Sequence, residues 1–159
     1  MLANSWSIPL RSALVRGAGA GVASAAVVAA CSERETGSTL AGINAVSHWA
    51  WGDAEARRDG FSLKYTGVGA LTHLAAATMW AFVFDLLFAS GRRAVTLPRL
   101  LSESAAMSAM ACAVDYTITP KRFTPGYELR LSKRSLLATY VAFAGGLALG
   151  SLLLPRGER

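Results

Sequence analysis

The sequence is poor in the residue patterns that mark catalytic and metal sites. It has two cysteines, Cys31 and Cys112, which form no C-x-x-C, and two histidines, His48 and His73. It has no G-x-S-x-G, no H-E-x-x-H and no phosphate-binding glycine loop, the patterns that place a nucleophile, a zinc ion or a phosphate group. These absences favour a protein that is not an enzyme and that holds no metal or other cofactor.

Charge is also missing, from four long intervals of the chain. Of the 159 residues 53% are apolar and 16% are charged, and the charged residues gather in 32–64, 91–99 and 120–134. Long apolar intervals separated by short charged ones are typical of a chain that passes repeatedly between lipid and water. The sequence therefore predicts an all-α integral membrane bundle, with residues 1–159 forming a single membrane domain.

The central interval, residues 66–90, has only two ionisable residues, His73 and Asp85, among twenty-five mostly apolar ones. As a helix it is long enough to cross a bilayer core of about 30 Å. Three further intervals carry weaker forms of the same signal, which makes four transmembrane helices. These spans are predicted at residues 10–31, 66–90, 97–119 and 135–154.

The first span admits two interpretations. Its last four residues, Val-Ala-Ala-Cys, resemble the lipobox of bacterial lipoproteins, in which the cysteine, here Cys31, is lipidated and becomes the new N-terminus. The other interpretation is a retained helix, in which Gly17 and Gly21 have the G-x-x-x-G spacing that lets helices approach closely. The three further spans favour the retained helix, and the last span carries the same glycine spacing.

The first long connection is predicted to contain an interfacial helix over residues 40–51. Apolar side chains recur there at helical spacing, and Ser38 or Thr39 is suited to cap the helix. Trp49 and Trp51 suit the headgroup layer, where an indole ring has one apolar and one wet side. A helix at the membrane surface is therefore expected between the first two spans.

Ionisable residues inside a span are costly and need a partner or a purpose. With a rise of about 1.5 Å per residue from each helix midpoint, Arg16, Asp85 and Glu103 fall at one level of the bundle, and His73 and Asp115 fall at another. The sequence predicts interhelical pairs that fix helix register. Arg16 would pair with Asp85 or Glu103, and His73 would pair with Asp115.

Two other uses of these residues remain open. Asp85, Glu103, Asp115 and His73 would be the relay groups of a small proton-coupled transporter or channel that acts as an oligomer, although apolar residues separate the two levels. His48 and His73 would be the ligands of a membrane haem protein, since imidazole is the usual haem ligand.

Two connecting stretches are rich in aromatic, basic and acidic residues: SHWAWGD at 47–53 and DYTITPKRFTPGYE at 115–128. The four-span arrangement puts them on the same side of the membrane, so contact between them is expected. They would also form a headgroup-level pocket for an anionic lipid or for an acidic segment of a partner protein. The candidate residues of this pocket are His48, Trp49, Trp51, Asp53, Lys121 and Arg122.

The net charge of +6 does not indicate nucleic-acid binding. The Lys and Arg residues lie beside apolar spans, where anionic headgroups explain them, and no basic stripe with interleaved aromatic residues is present. The expected partners are membrane lipid and either a partner protein or further copies of the chain.

The two stretches SHWAWGD and DYTITPKRFTPGYE, together with the final span rich in glycine and alanine, resemble uncharacterised small multi-pass inner-membrane proteins of bacteria. The resemblance extends over the whole chain. It implies a location in the bacterial inner (cytoplasmic) membrane and no assigned activity. The expected function is that of a non-enzymatic accessory, interaction or lipid-associated membrane protein.

Overall fold

Six α-helices make up most of the structure, a computed structural model that describes residues 7–89 and 96–155, with the side chains of 10–88 and 96–155. These two ranges contain no β-strand, so the prediction of an all-α protein is confirmed. The helices are α1, Ser7–Thr36; α2, Ala41–Val46; α3, His48–Trp51; α4, Val68–Phe84; α5, Leu97–Ala113; and α6, Lys133–Leu152.

π-helical turns extend α4 and α5, the helices that correspond to the second and third predicted spans. Leu63–Gly67 precedes α4, Asp85–Ala89 follows it, and Val114–Ile118 continues α5. Residue 90, with which the second span was predicted to end, lies outside the described part of the chain. Three single turns of 3-10 helix complete the described structure, at Glu55–Arg57, Lys121–Phe123 and Tyr127–Leu129.

Three of the helical segments are long and apolar enough to cross a membrane. They are Leu10–Thr36, Leu63–Phe88 and Lys133–Leu152. Helix α5 is not among them, because serine and glutamate interrupt its apolar residues. The prediction of a membrane protein is thus supported by three helices rather than by four.

The outward faces of these helices carry large apolar side chains. Leu71 of α4 is 70% exposed, and Leu137 and Val141 of α6 are 68% and 65% exposed. Soluble monomers rarely expose contiguous apolar surface on this scale, whereas a lipid-facing surface consists of it. The exposed faces therefore suit hydrocarbon rather than water.

Helix α1 lies at the centre of the bundle and packs against both α4 and α6. Glycines make this close packing possible, as predicted from their spacing. A Cβ added to Gly17 would lie 2.6 Å from Cα of Thr78 on α4. One added to Gly150 of α6 would lie 2.7 Å from Cα of Arg16 on α1. The helix backbones are therefore nearly in contact, which a larger side chain would prevent.

The connection after α1 folds back into the bundle. The single helix predicted at 40–51 is instead two short ones, α2 and α3, and every residue of α2 is buried. Asn44 explains the burial, because its amide donates to the carbonyl oxygens of Arg58 and Gly60, both at 2.9 Å, and accepts from Thr66 at 2.7 Å. The segment thus closes one end of the bundle instead of presenting a single apolar face.

Candidate functional site

A cavity of about 320 Å³ lies between α4, α5 and α6. Its volume is at the lower end of the range of small-molecule sites. Most of its lining is apolar, with Ala76 and Met79 of α4 and Phe143 of α6 among the wall residues. The few polar groups in the wall come from separate elements and converge on this space, so the bundle positions them.

One polar group is the carboxylate of Asp115, in the π-helical turn that follows α5. Its Oδ2 accepts a hydrogen bond from the hydroxyl of Tyr140 on α6 at 2.7 Å. The Trp80 side chain of α4 lines the same cavity. About two turns earlier, Ser108 of α5 donates to the backbone oxygen of Tyr140 at 2.6 Å, which fixes α5 against α6. Asp115 is therefore held in place by an uncharged group.

The imidazole of His73 on α4 forms the second polar group. Its Nε2 lies 2.9 Å from the carbonyl oxygen of Gly21 on α1, and its Nδ1 lies 2.5 Å from the hydroxyl of Tyr127. Because a carbonyl oxygen only accepts, Nε2 carries the proton, and Nδ1 accepts from Tyr127. Burial, with the negative charges of Asp115 and Glu128, raises the pKa of Tyr127, so its hydroxyl keeps its proton and remains a donor.

The loop after α5 covers the end of the cavity. His48 and Trp49 both donate to the backbone oxygen of Thr124, at 2.8 and 2.7 Å, and the Trp49 ring meets Phe123 edge to face at 5.6 Å. The loop then turns at Gly126, whose φ of +88° favours glycine and where a Cβ would lie 2.6 Å from the oxygen of Ala45. The predicted contact between the two connecting stretches is therefore confirmed.

The six residues of the predicted headgroup-level pocket have different surroundings in the structure. His48, besides its bond to the loop, contacts Asp53 at 2.9 Å. Trp51 has the Lys64 ammonium 4.7 Å from its ring centre. Arg122 approaches the oxygen of Ala50 at 3.5 Å and Lys121 is exposed, while Trp49 lines the internal cavity. The structure thus divides the predicted group between a loop contact and the cavity wall.

An ion pair joins α1 to the end of α4 at the predicted level of Arg16, Asp85 and Glu103. The guanidinium of Arg16 on α1 pairs with the carboxylate of Asp85 at the end of α4, and Ser12 donates to the same carboxylate. Arg16 is 1% exposed and Asp85 is 5% exposed. Glu103 accepts instead from Arg99, four residues earlier on its own helix, at 2.8 Å.

His73 and Asp115 occupy the same cavity but do not bond to each other. Each ring nitrogen of His73 has another partner, and Asp115 bonds to Tyr140. The ring nitrogens of His48 are likewise engaged, by Asp53 and Thr124. Neither histidine presents a free nitrogen to a haem iron, so these residues do not fit haem ligation.

Sequence reasoning missed three aromatic residues that line the cavity beside the two polar groups. Tyr140 and Trp80 lie within apolar spans and Tyr127 lies in the loop, and none of the three was predicted as a site residue. A hydroxyl or indole group inside a span needs a hydrogen-bond partner, and that requirement is the signal that would have identified Tyr140 and Trp80. Tyr127 carries no comparable signal, because a loop tyrosine normally bonds to water.

A serine and a histidine also lie side by side in the cavity wall. Ser24 lies 3.2 Å from Nε2 of His73, which resembles a nucleophile beside its base. However, that nitrogen donates to Gly21, and the Ser24 hydroxyl donates to the oxygen of Ala20 at 2.7 Å. Both groups thus donate their hydrogen bonds to backbone oxygens.

Comparison of the chain with protein-family models, with curated proteins and with solved structures finds no match.

Proposed function

We propose that the chain is a non-enzymatic integral membrane protein with four crossing helices, and that it binds a small membrane-soluble molecule in the cavity between α4, α5 and α6. The observation that carries the proposal is the cavity itself, which combines apolar walls with a few convergent polar groups. Met79 lines it and is 51% exposed on the outward side of α4. A ligand dissolved in the bilayer would thus enter from the lipid beside Met79.

The fourth crossing is assigned to α5 with its π-helical turn. From Leu97 to Ile118 this segment has a length of about 33 Å at 1.5 Å per residue, which matches a bilayer core. Ser104 and Ser108 are buried in the bundle, whereas Leu97, Leu101 and Ile118 are 55%, 50% and 74% exposed. Two of the polar residues that lower its hydropathy, Ser104 and Ser108, are therefore shielded from lipid.

The lipid-associated role predicted from the sequence agrees with this site, since membrane lipid is one source of an apolar ligand.

The alternative, a small proton-coupled transporter acting as an oligomer, is less well supported. Between the levels of Asp85 and His73, α4 presents Ala77 and Ala81 to an apolar cluster that includes Met107. Among the described residues no hydrogen-bonded chain joins the two levels across that cluster. The bacterial inner membrane remains the location that the sequence resemblance implies.

Binding can be followed by quenching of tryptophan fluorescence, since Trp49 and Trp80 line the cavity. The probe is 1-bromo-4-tert-butylbenzene, an uncharged molecule whose bromine quenches indoles on contact, added to the full chain in nanodiscs of neutral lipid. We expect a saturable quenching component above the linear one due to partition into lipid. The Ala76→Phe variant, which fills the cavity, should weaken the saturable component at least about tenfold, as expected when the site is lost.

Ala75→Phe is the matched control, because Ala75 is exposed and is not part of the cavity wall. It should retain the saturable component. Linear quenching alone in the unmodified protein, or equal loss in both variants, would contradict a binding site at this cavity.

A further inference from the structure

The charge distribution in the cavity narrows the class of ligand. Given the binding function proposed above, on which this inference rests, we infer that the cavity selects hydrophobic organic cations, such as quaternary ammonium compounds, whose charge lies between the carboxylate of Asp115 and the surrounding aromatic rings. Three features of the site support the selection.

The first feature is that the partners of Asp115 are uncharged. Its carboxylate accepts from the phenol hydroxyl of Tyr140 and shares the cavity wall with the indole of Trp80. The ion pairs formed within residues 7–89 and 96–155 use other carboxylates. Hydrogen bonds from neutral groups orient a carboxylate without cancelling its charge, and a charge shielded from water is strongly stabilised by a counter-ion. A ligand cation would supply that counter-ion.

The second feature is the aromatic wall. Six aromatic side chains line the cavity, and indole and phenol rings attract a cation placed over their faces within about 6 Å. Quaternary ammonium groups are bound in proteins by such walls, because they cannot donate hydrogen bonds and have apolar surfaces. The six residues are Trp49, Trp80, Phe123, Tyr127, Tyr140 and Phe143.

The third feature is a second carboxylate behind the first. Glu128 accepts from Thr124 at 2.5 Å and from Tyr116 at 3.4 Å, and the Tyr116 ring meets Tyr140 edge to face at 6.1 Å. A row of neutral phenols thus separates the two carboxylates. The basic side chain nearest in sequence to Glu128, Arg130, is paired with Asp59 instead. Glu128 thus adds a second carboxylate, linked to that of Asp115 through Tyr116 and Tyr140.

Two bromine-labelled probes of the same shape test the inference. The cation (4-bromophenyl)trimethylammonium differs from 1-bromo-4-tert-butylbenzene only in having nitrogen in place of the quaternary carbon. In nanodiscs of neutral lipid we expect Asp115→Asn to weaken saturable binding of the cation at least about tenfold, as expected for loss of a shielded counter-charge. The neutral probe should change less than about twofold. Glu103→Gln, on the same helix but outside the cavity wall, should change neither.

The outcomes separate this inference from the binding proposal. Saturable binding of the neutral probe, with cation binding that is indifferent to Asp115→Asn, would overturn cation selection and leave the binding site in place. Saturable binding of neither probe would overturn both. If Asp115→Asn does not fold, Asp115→Glu and the anion 4-bromobenzenesulfonate decide the matter. Cation selection requires that Asp115→Glu keep cation binding and that the unmodified protein exclude the anion, and failure of either requirement contradicts it.

Discussion

Replacement of Arg16 by methionine is expected to lower the free energy of unfolding by about 3–5 kcal/mol, the cost of leaving one member of a buried ion pair without its partner. Asp85 is 5% exposed, and the guanidinium of Arg16 pairs with its carboxylate. Arg16 also donates from Nε to Ser151 of α6 at 2.8 Å, so one side chain joins α1 to both neighbouring helices. Reversible unfolding in mixed micelles, followed by tryptophan fluorescence, measures the loss.

The control is Arg58→Met, which breaks the pair of Arg58 with Glu55. Both side chains are partly exposed, at 58% and 29%, and exposed pairs contribute about 0–1 kcal/mol. The double variant Arg16→Met with Asp85→Leu should recover most of the stability, because it removes the charge that the single variant leaves buried. Equal effects of Arg16→Met and Arg58→Met would show that the buried pair does not hold the bundle together.

Replacement of Gly146 by alanine is expected to destabilise the protein by about 1–3 kcal/mol through overpacking. A Cβ at Gly146 would lie 2.8 Å from Cα of Ala20 and 2.8 Å from Cβ of Ala23, both on α1. Neither atom belongs to a flexible side chain, so α1 and α6 would have to separate along their whole contact. The measurement is the same unfolding transition in mixed micelles.

Gly145, the preceding residue, provides the matched control. It is exposed, and a Cβ placed on it meets nothing within 4 Å. Gly145→Ala should therefore leave stability unchanged or increase it by up to about 1 kcal/mol, the difference in helix propensity between the two residues. If Gly146→Ala cost no more stability than Gly145→Ala, the backbones of α1 and α6 would not approach each other as closely as the structure indicates.

These two contacts show how far the sequence determines the fold. The G-x-x-x-G spacing identified the glycines at the helix contacts, and a count of residues along each helix placed Arg16 and Asp85 at one level. Both arguments depend only on positions along a helix, which sequence supplies directly. The same helical spacing puts Ser104 and Ser108 on one face of α5, and both are buried.

The pairing of His73 with Asp115 shows where such arguments fail. Depth along a helix does not give the direction of a side chain around it. His73 points toward Gly21 and Ser24 of α1, while Asp115 points toward Tyr140 of α6. The rotation of each helix depends on packing of the whole bundle, so neither the partners nor the space left between them follows from spacing.

The fold of residues 40–51 shows a second limit. Apolar residues at helical spacing predicted one surface helix, but Asn44 binds the backbone of the following connection and buries the segment. The hydrogen bonds of Asn44 thus decide that the apolar residues of this segment pack inside the bundle and not at its surface. The cavity was beyond prediction for a related reason, since an internal space is a property of facing side chains from several elements rather than of any one of them.

The central claim is that the cavity lies within the bilayer, and this requires α5, which supplies Ala111, Val114 and Asp115 to its wall, to cross the membrane. Labelling with a membrane-impermeant maleimide in sealed vesicles, on a cysteine-free chain carrying Ala94→Cys or Lys121→Cys, tests it directly. The account predicts that the two positions react from opposite sides of the membrane. Reaction of both from the same side would show that α5 does not cross, and would contradict a ligand site within the bilayer.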